Sequence, residues 1–392
     1  MSAYSCEPGG GSEDGVGWAF ACAAAARHDV WLVTRRNNLA AIRAALAADP
    51  DLRLHPIGID LPRWAAFWKR GLRGHRPYYL LWQRLARREI TALHRRVGFD
   101  VAHHATFASD SFPAGAIGID DLPSVWGPVG GAQRMPRSQW REVGLFGAVS
   151  ELNRTLTLGA LRRWFGRRTA AAADVVVALN REAAASVGSA AGAEIRPNVA
   201  LDMRALPVRA PDRHGGRRAV FTGRLLAWKG PAIAVAALAR PGAEDWTLDL
   251  YGDGPEHDRI QRIAEREGVT DRVRLHGKRP RDEVLQAVAD ADALVHPALH
   301  DSSPWSVGEA VAIGTPVVCL DIGGPPLILD GRPGVVIDAD ADLPSAVAEA
   351  LAGLAGTRGE PTGRWSQDQL VDDLDRWYIE ARRTSAEAAP CA

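Results

Sequence analysis

The second half of the chain alternates short apolar segments with polar helical stretches, and this alternation restricts its fold more than any other feature. Strand-like segments with their following turns are WTLDLYGDGPE (Trp246–Glu256), RVRLHGKRPRDEV (Arg272–Val284) and DADALVHPA (Asp290–Ala298). Such alternation predicts an α/β fold with a parallel, doubly wound sheet, whose ligands bind beyond the carboxyl ends of the strands. Gly252 and Gly277 follow two of these strands, where glycine lets the backbone approach a ligand closely.

The N-terminal half has the same pattern, with strand candidates at His28–Arg35, Leu52–Ile59, Phe99–His104, Leu122–Gly131 and Ala173–Leu179. Only Ser2–Ser5 remain for a strand before the first glycine-rich loop. Either that strand is truncated, or the native start lies upstream of Met1. A chain of 392 residues with 46% hydrophobic residues can bury two ordinary cores.

Prolines, arginines and glycines interrupt the pattern between the two halves. We therefore place an N-terminal domain at residues 1–197, a linker at 198–216 and a C-terminal domain at 217–364. Residues 365–383 then carry apolar side chains at helical spacing, which predicts an amphipathic helix. This helix packs either on the first domain or within its own.

Composition argues against several kinds of function. The formal net charge is zero, so the chain as a whole has no nucleic-acid footprint. Four cysteines without CxxC or metal-like spacing suggest reduced thiols in a cytoplasmic protein. The sequence shows neither a secretory signal nor an apolar run long enough to span a bilayer.

Two carboxylates, Asp301 and Glu309, lie eight residues apart in HDSSPWSVGEAVAIGTPVV (His300–Val318). A strand before them and a helix that ends at Gly314 place Asp301 just past the strand and Glu309 in the first helical turn. Serine hydroxyls and free backbone N–H groups between the two acids suit a diphosphate. Alternatively, Glu309 is only a favourable acid at a helix N-terminus and Asp301 is a cap.

A second motif, AVFTGRLLAWKG (Ala219–Gly230), joins a short strand and a glycine turn to Arg224 and Lys229. Fixed cations there would stabilise the negative charge that a leaving nucleoside diphosphate gains. Only three of the 47 basic residues are lysine, namely Lys69, Lys229 and Lys278. In a chain this rich in arginine, a lysine marks a place where a compact ammonium is preferred to a planar guanidinium.

Together these motifs resemble the retaining glycosyltransferases of family 4, the "glycosyl transferases group 1". The resemblance covers most of the chain, is strongest over residues 219–318, and has Asp301 in place of the first glutamate of the family's E-x7-E signature. It implies the GT-B fold, with two Rossmann-like domains, an interdomain cleft and a C-terminal crossover helix. It also implies that Glu309 binds ribose hydroxyls, that Asp301 lies beside the donor sugar, and that Arg224 and Lys229 neutralise the diphosphate without a metal. Further donor contacts are expected from Gly223, Gly252, Gly277, Lys278, Arg279, Ser302, Ser303, Pro304, Trp305, Ser306 and Val307.

The resemblance also assigns parts of the first domain to the site. Glycines in two loops would face the cleft, namely Gly9, Gly10, Gly11, Gly130 and Gly131. His103 and His104 end a strand where the family keeps a histidine near the reacting sugar. Because successive strand residues point to opposite faces, at most one of them can enter the site, and we favour His104.

Residues 61–96 carry ten Lys and Arg residues against one acid, Glu89. Interleaved with them are the aromatic residues Trp64, Trp68, Tyr78, Tyr79 and Trp82. The segment is either a peripheral membrane or acceptor-binding face, or a helical pair whose aromatic side chains lie in the core.

The predicted function is transfer of a sugar, with retention of configuration, from a nucleoside-diphosphate sugar of the UDP or GDP type to a small-molecule, glycan or lipid-linked acceptor. No metal and no other cofactor is expected. A pseudo-glycosyltransferase that couples a cyclitol donor and a non-catalytic nucleotide-sugar-binding protein are the alternatives. A dinucleotide-dependent oxidoreductase fails a direct check, because His257 stands where the third glycine of G-x-G-x-x-G is expected after Gly252 and Gly254.

Overall fold

The computed structural model describes residues 1–10, 13–65, 67–68, 74–131, 133–142, 144–188, 192–209 and 217–388. Gly11 and Lys69, both singled out above, lie outside these residues. The chain divides into two compact units. The N-terminal unit comprises Met1–Ala132, Leu156–Ala200 and Ser366–Ala392, and the C-terminal unit comprises Gln133–Thr155 and Leu201–Trp365.

The sheet of the N-terminal unit has seven parallel strands in the order β3-β2-β1-β4-β5-β6-β7. The interior strand β1 has only two residues, and it pairs with β2 and β4. In chain order the elements from residue 2 to residue 195 are β1 (Ser2–Ala3), α1 (Glu13–Ala25), β2 (Val30–Arg35), α2 (Leu39–Ala48), β3 (Leu54–Ile59), α3 (His75–Val97), β4 (Ala102–Thr106), β5 (Ser124–Val129), α4 (Gly144–Leu161), α5 (Arg167–Ala172), β6 (Val175–Ala178), α6 (Arg181–Val187) and β7 (Glu194–Ile195). Residues 144–155 of α4 belong to the C-terminal unit and residues 156–161 to the N-terminal unit.

The C-terminal unit contains a six-stranded parallel sheet in the order β10-β9-β8-β11-β12-β13. Its elements are β8 (Arg217–Thr222), α7 (Pro231–Ala237), β9 (Trp246–Tyr251), α8 (His257–Arg266), β10 (Val273–Gly277), α9 (Arg281–Asp290), β11 (Ala293–His296), α10 (Trp305–Ile313), β12 (Val317–Leu320), α11 (Pro325–Leu329), β13 (Gly334–Ile337) and α12 (Leu343–Gly353). The strand order reverses between β8 and β11, and ligands of doubly wound sheets bind at the carboxyl ends of the strands at such a point. The predicted fold class is confirmed in both units.

Alternate residues of the C-terminal strands pack into one core. Phe221, Trp246 and Leu250 are fully buried on the side of the sheet that carries α7, α8 and α12. Near-continuous apolar strands are expected where helices cover both faces of a parallel sheet. The loops at the carboxyl ends of the strands are then the exposed places where polar side chains can gather.

Residues 133–155 are grouped differently from the predicted domain division, which left them in the N-terminal domain. Met135 belongs to the core of the C-terminal unit, and the Gln139 amide donates to the carbonyl oxygens of Ala339 (2.9 Å) and Ala341 (3.2 Å). These long-range contacts place the segment in the C-terminal unit. Sequence pattern alone does not reveal them, because the partners are some 200 residues away.

The C-terminal helix, α13 (Gln367–Ala388), packs on the N-terminal unit. Leu370, Leu374 and Trp377 are buried, and the helix contacts α1, β5 and β6. The buried Arg196 guanidinium fixes it further by an ion pair with Asp373 at 2.7 Å. The periodic apolar residues of the sequence therefore form the packed face of α13.

The basic aromatic segment is largely a structural helix. Tyr78, Tyr79 and Trp82 on α3 are buried in the N-terminal core, which contradicts a membrane face built on these three side chains. Trp64, by contrast, is 79% exposed. Among the described residues, no helix combines the length and the apolar character that crossing a bilayer requires.

Candidate functional site

The loop between β11 and α10 carries the two predicted carboxylates, but the helix begins earlier than expected. Pro304 is its N-cap, and Trp305, Ser306 and Val307 form its first turn. Glu309 is thus the fifth helical residue and not part of the first turn, which corrects the prediction. Asp301 is not the N-cap that the alternative assumed, since Pro304 holds that position. The first-turn N–H groups have no intrahelical acceptor and can face an anion.

Asp301 is held by two nitrogen donors on one carboxylate oxygen. Lys229 Nζ donates to Asp301 Oδ2, and His296 Nε2 donates to the same oxygen from 3.1 Å. Lys229 ends a 3₁₀ turn after β8, and His296 is the last residue of β11, so both lie where the strand order reverses. The two motifs found in the sequence therefore meet in space at the point where such a sheet binds its ligands.

The charges around Asp301 keep its carboxyl ionised. Burial acts to raise its pKa, but the hydrogen bond from His296 and the charge of Lys229 outweigh burial and hold the pKa well below its ordinary value. Burial lowers the pKa of His296, and Asp301 opposes this only in part. A neutral imidazole beside a carboxylate must carry its proton on the nitrogen that faces the acid, here Nε2.

Gln133 was not predicted, yet it fixes the main chain of the Asp301 loop. Its buried amide nitrogen donates to the Asp301 carbonyl at 2.7 Å, and its amide oxygen accepts from the Ser302 hydroxyl at 2.8 Å. Gly324 N also donates to the Asp301 carbonyl, at 3.1 Å. A Cβ at Gly324 would lie 2.1 Å from Ser302 O, so only glycine allows this approach. The loop is thus held by backbone and side-chain bonds before any ligand binds.

Glu309 is buried inside α10 and pairs with Arg281 at the start of α9. Arg281 Nη2 lies 2.5 Å from Glu309 Oε1, and its guanidinium also lies over the Trp305 ring at 5.7 Å. Burial raises the pKa of Glu309 although the Arg281 charge acts to lower it. Because the Arg281 side chain is 56% exposed, it can move away and leave the carboxylate to ligand hydroxyls. Arg281 was not found from the sequence, where it looks like an ordinary helix-start residue.

Three predicted glycines lie in a row at the carboxyl ends of β8, β9 and β10. Gly223 N donates to Tyr251 O at 3.0 Å, and Gly252 N donates to Gly277 O at 2.9 Å. A Cβ on Gly252, whose φ is 144°, would lie 1.8 Å from Gly223 O. The strand ends are therefore drawn together by main-chain contacts that require glycine.

The remaining predicted cations lie near these strand ends and are exposed. Arg224 follows Gly223 directly, and Lys278 and Arg279 follow Gly277. Arg279 Nε donates to His276 O at 3.1 Å. Next to them the Tyr251 and His276 rings stack at 4.4 Å, and His276 bonds to the buried Asp249 carboxylate at 2.7 Å. This stacked pair was not predicted, although both residues directly precede the glycines noted above.

His103 and His104 lie inside β4 and not at its end, and both are almost fully buried, which corrects their predicted placement. His103 Nε2 donates to Gly127 O at 2.8 Å, and its Nδ1 accepts from the Tyr378 hydroxyl at 2.9 Å. His104 Nε2 lies 3.2 Å from the Tyr79 hydroxyl. Burial lowers the pKa of His103 to about 4 and that of His104 to about 3, so both are neutral near pH 7. As predicted from strand alternation, they face opposite sides of the sheet.

The predicted glycine loops of the N-terminal unit follow β1 and β5. Gly130 pairs with the chain after β4, since its N–H donates to Ala108 O at 2.9 Å. A Cβ on Gly131 would lie 2.5 Å from Asp110 Oδ1, and Asp110 is paired with Arg162 at 2.5 Å. Gly9 and Gly10 form a turn in which Gly10 N donates to Glu7 O at 3.1 Å. The first of these glycine segments is thus held by a hydrogen bond within its own turn, and the second by a hydrogen bond to the chain after β4.

Comparison with known proteins agrees with this geometry in the C-terminal unit. Residues 216–356 match the family model described as "Glycosyl transferases group 1". The matching residues contain Arg224, Lys229, Asp301 and Glu309. The match to this family model therefore lies within the C-terminal unit.

Two curated relatives show how far the sequence similarity extends. A 2-deoxystreptamine glucosyltransferase from Streptomyces kanamyceticus is 34% identical over 115 residues, which is 29% of this chain and 30% of the relative. A D-inositol 3-phosphate glycosyltransferase from Mycolicibacterium smegmatis is 29% identical over 212 residues, 48% of this chain and 47% of the relative. The matched stretches thus span less than half the length of these relatives.

Solved structures resemble the chain over nearly its whole length. Anabaena HepE, crystallised with UDP and glucose, aligns with a TM-score of 0.56 at 15% identity and covers 98% of both chains. Sucrose-phosphate synthase from Thermosynechococcus elongatus aligns with a TM-score of 0.55 at 17% identity over 96% of this chain and 92% of that one. At these identities the likeness concerns the fold alone, and that fold is the GT-B arrangement of two Rossmann-like units.

Proposed function

We propose that the protein is a retaining glycosyltransferase that moves a sugar from a nucleoside-diphosphate sugar to an acceptor hydroxyl without a metal. The observation that carries this proposal is the Lys229–Asp301 pair, which lies at the strand-order reversal of a glycosyl transferases group 1 domain. Lys229 supplies a positive charge at this point of the sheet, and the first-turn N–H groups of α10 have no intrahelical acceptors. Both features suit the diphosphate of a donor.

In the proposed reaction, the acceptor hydroxyl attacks the anomeric carbon on the face from which the nucleoside diphosphate departs. The bond from the anomeric carbon to the phosphate oxygen breaks as the new glycosidic bond forms. The leaving phosphate accepts the proton of the acceptor hydroxyl, so no protein nucleophile is needed. Lys229 and the exposed Arg224 would stabilise the negative charge that develops on the diphosphate. Glu309 would bind ribose hydroxyls once Arg281 moves aside.

The proposed donor is a UDP- or GDP-sugar. Cyclitols are among the acceptors to be tested. A solved structural neighbour was crystallised with UDP and glucose, which supports testing UDP-glucose first. The names of two curated relatives contain 2-deoxystreptamine and inositol 3-phosphate, both of which are cyclitols. Because those relatives match over less than half of their length, the acceptor is tested and not assumed. We also propose that the protein is located in the cytoplasm. The free thiols of Cys6, Cys22 and Cys319 agree with a reducing compartment.

The test measures thermal stabilisation by UDP-, GDP- and TDP-sugars, and nucleotide release with and without acceptors. We expect wild type to be stabilised by one donor and to release nucleotide equally well with EDTA present. Lys229→Ala and Glu309→Ala should lose the stabilisation, whereas Arg262→Ala, an exposed arginine elsewhere in the same unit, should keep it.

Anomeric configuration of the product, read by NMR, tests retention. An inverted product would contradict the retaining mechanism while leaving the transferase assignment intact. Stabilisation by a donor without any turnover would favour a non-catalytic nucleotide-sugar-binding protein. The assignment fails altogether if no nucleotide sugar stabilises wild type.

A further inference from the structure

His296 is a polar residue in an apolar setting. It stands on β11 with Leu294 two residues before it on the same face, and Cys319 of β12 is its partner in the sheet. All three are buried. Its Nε2 bonds to Asp301, whereas its Nδ1 is buried without a hydrogen-bond partner in the described part of the chain.

An imidazole with one unpartnered nitrogen is costly at such a position. Burying a polar atom without a partner destabilises the folded state, and an apolar side chain of similar size would avoid that cost. In the described part of the chain, the hydrogen bond from Nε2 is thus the polar contact that sets this imidazole apart from an apolar side chain. That bond connects it to the carboxylate that holds Lys229.

Asp301 is fixed both at its main chain and at its side-chain carboxylate. Its main chain is bound by Gln133 and Gly324, and its Oδ2 accepts from His296 and from Lys229. Lysine otherwise has a flexible four-carbon arm with many rotamers. A carboxylate with a single fixed position restricts that arm, and the ammonium keeps further N–H donors for a ligand.

We propose that His296 is a positioning residue, which orients Asp301 so that Asp301 in turn holds the Lys229 ammonium in place for the donor diphosphate. This inference rests on the proposed function, because it names how the same donor site is preorganised. Asp301 then acts on the diphosphate through Lys229, in addition to any contact with the donor sugar. The shorter acid suits this task, since it reaches His296 and Lys229 with one oxygen.

Three substitutions at His296 separate positioning from packing. Gln places its amide nitrogen near the position of Nε2 and can still donate to Asp301. Asn places its amide nitrogen near Nδ1 and cannot, and Leu has no donor at all. The probes are UDP and inorganic pyrophosphate, which contain the diphosphate, and uridine, which does not. Dissociation constants are measured by calorimetry, and thermal unfolding checks that each variant is folded.

We expect His296→Leu and His296→Asn to weaken binding of UDP and pyrophosphate about tenfold, as typical coupling in a shared ion-pair network predicts. Uridine binding should not change, and His296→Gln should bind within about threefold of wild type on the same argument. In a Lys229→Ala background, His296→Leu should cause no further loss. A residue that acts only by packing would lower affinity equally with and without Lys229.

The results that overturn the inference differ from those that overturn the function. If wild type binds UDP and turns over a sugar donor, but the His296 and Lys229 effects simply add, the positioning role is wrong and the function stands. Tighter binding of pyrophosphate by His296→Leu would also overturn it, because the network would then restrain Lys229 from the ligand. If wild type binds neither UDP nor pyrophosphate, and is not bound by any of the nucleotide sugars tested, both proposals are wrong.

Discussion

Asp301 contributes to the stability of the fold as well as to the candidate site. Its shifted pKa makes that contribution to stability depend on pH. The folded pKa is lowered, so the carboxylate stabilises the fold at every pH above its unfolded pKa, about 3.9. This contribution is lost as the pH falls from that value through the folded pKa. Asp301→Asn should lower the free energy of unfolding by about 3 kcal/mol at pH 7, since it leaves the mostly buried Lys229 without its partner.

Urea unfolding of wild type and Asp301→Asn at pH 7, 4 and 3 measures this difference. We expect the difference in unfolding free energy between wild type and variant to narrow as the pH falls, because Asp301 of the unfolded wild-type chain takes up a proton while the folded carboxylate stays ionised, which favours unfolding. A difference in unfolding free energy that stays constant with pH would show that the charge of the Asp301 carboxylate does not stabilise the fold.

The pKa of Glu309 is shifted upward, opposite to that of Asp301. This shift predicts that Glu309 lowers the stability of the fold while serving the proposed function. Its pKa is raised by burial, so the ionised form destabilises the fold at neutral pH and the fold gains stability as the pH falls through the raised value. Glu309→Gln should therefore raise the free energy of unfolding by about 1 kcal/mol at pH 7 and weaken donor binding at least tenfold on the proposed ribose contact. Thermal unfolding with and without donor measures both effects. A variant that is less stable and still binds donor would contradict the assignment of a functional role.

At the scale of elements, the carboxyl ends of β8 and β9 lie close together, since Gly223 N donates to Tyr251 O at 3.0 Å. Gly252→Ala would place a Cβ 1.8 Å from Gly223 O at a φ of 144°. We expect it to cost at least about 3 kcal/mol in stability, because both the clash and the backbone conformation are unfavourable. The matched control is Gly268→Ala, which has a φ of 68° and open space around its Cβ. It should cost about 1 kcal/mol. Equal losses in the two variants, measured by urea unfolding, would contradict the close approach.

The elements also show what the sequence could predict and what it could not. Strands and helices of the C-terminal unit follow from local apolar patterns, and Lys229 and Asp301 were found because each lies just after such a strand. Helix α10 begins at Trp305 after its N-cap Pro304, which is earlier than a first-turn position for Glu309 predicts. His103 and His104 were predicted to end a strand, whereas β4 continues past them through Ala105 and Thr106.

Side-chain partners distant in sequence account for most of what was missed. Gln133 binds a carbonyl 168 residues away, and no local pattern marks it. Arg281 covers Glu309 only because α9 packs against α10. Such contacts depend on three-dimensional packing, and a single sequence has no direct record of it. Residue types and spacing therefore located the two motifs that meet at the strand-order reversal, whereas the groups that orient them required the structure.

At the scale of the whole molecule, the N-terminal unit is completed by the last helix of the chain. Trp377 on α13 is 1% exposed, and α13 contacts α1, β5 and β6. Trp377→Ala should destabilise the N-terminal unit by about 4 kcal/mol, as large buried aromatic side chains generally do. The matched control is Ile379→Ala on the same helix, which is 63% exposed and should change stability by less than about 0.5 kcal/mol.

Hydrogen exchange measured by mass spectrometry locates this effect along the chain. We expect Trp377→Ala to increase exchange in α1, β4 and β5, because these elements belong to the unit that α13 covers. Exchange in β8, β9 and β11 should not change, since they belong to the C-terminal unit and its own core. Faster exchange confined to the C-terminal unit would contradict this assignment, because α13 would then stabilise that unit and not the N-terminal one.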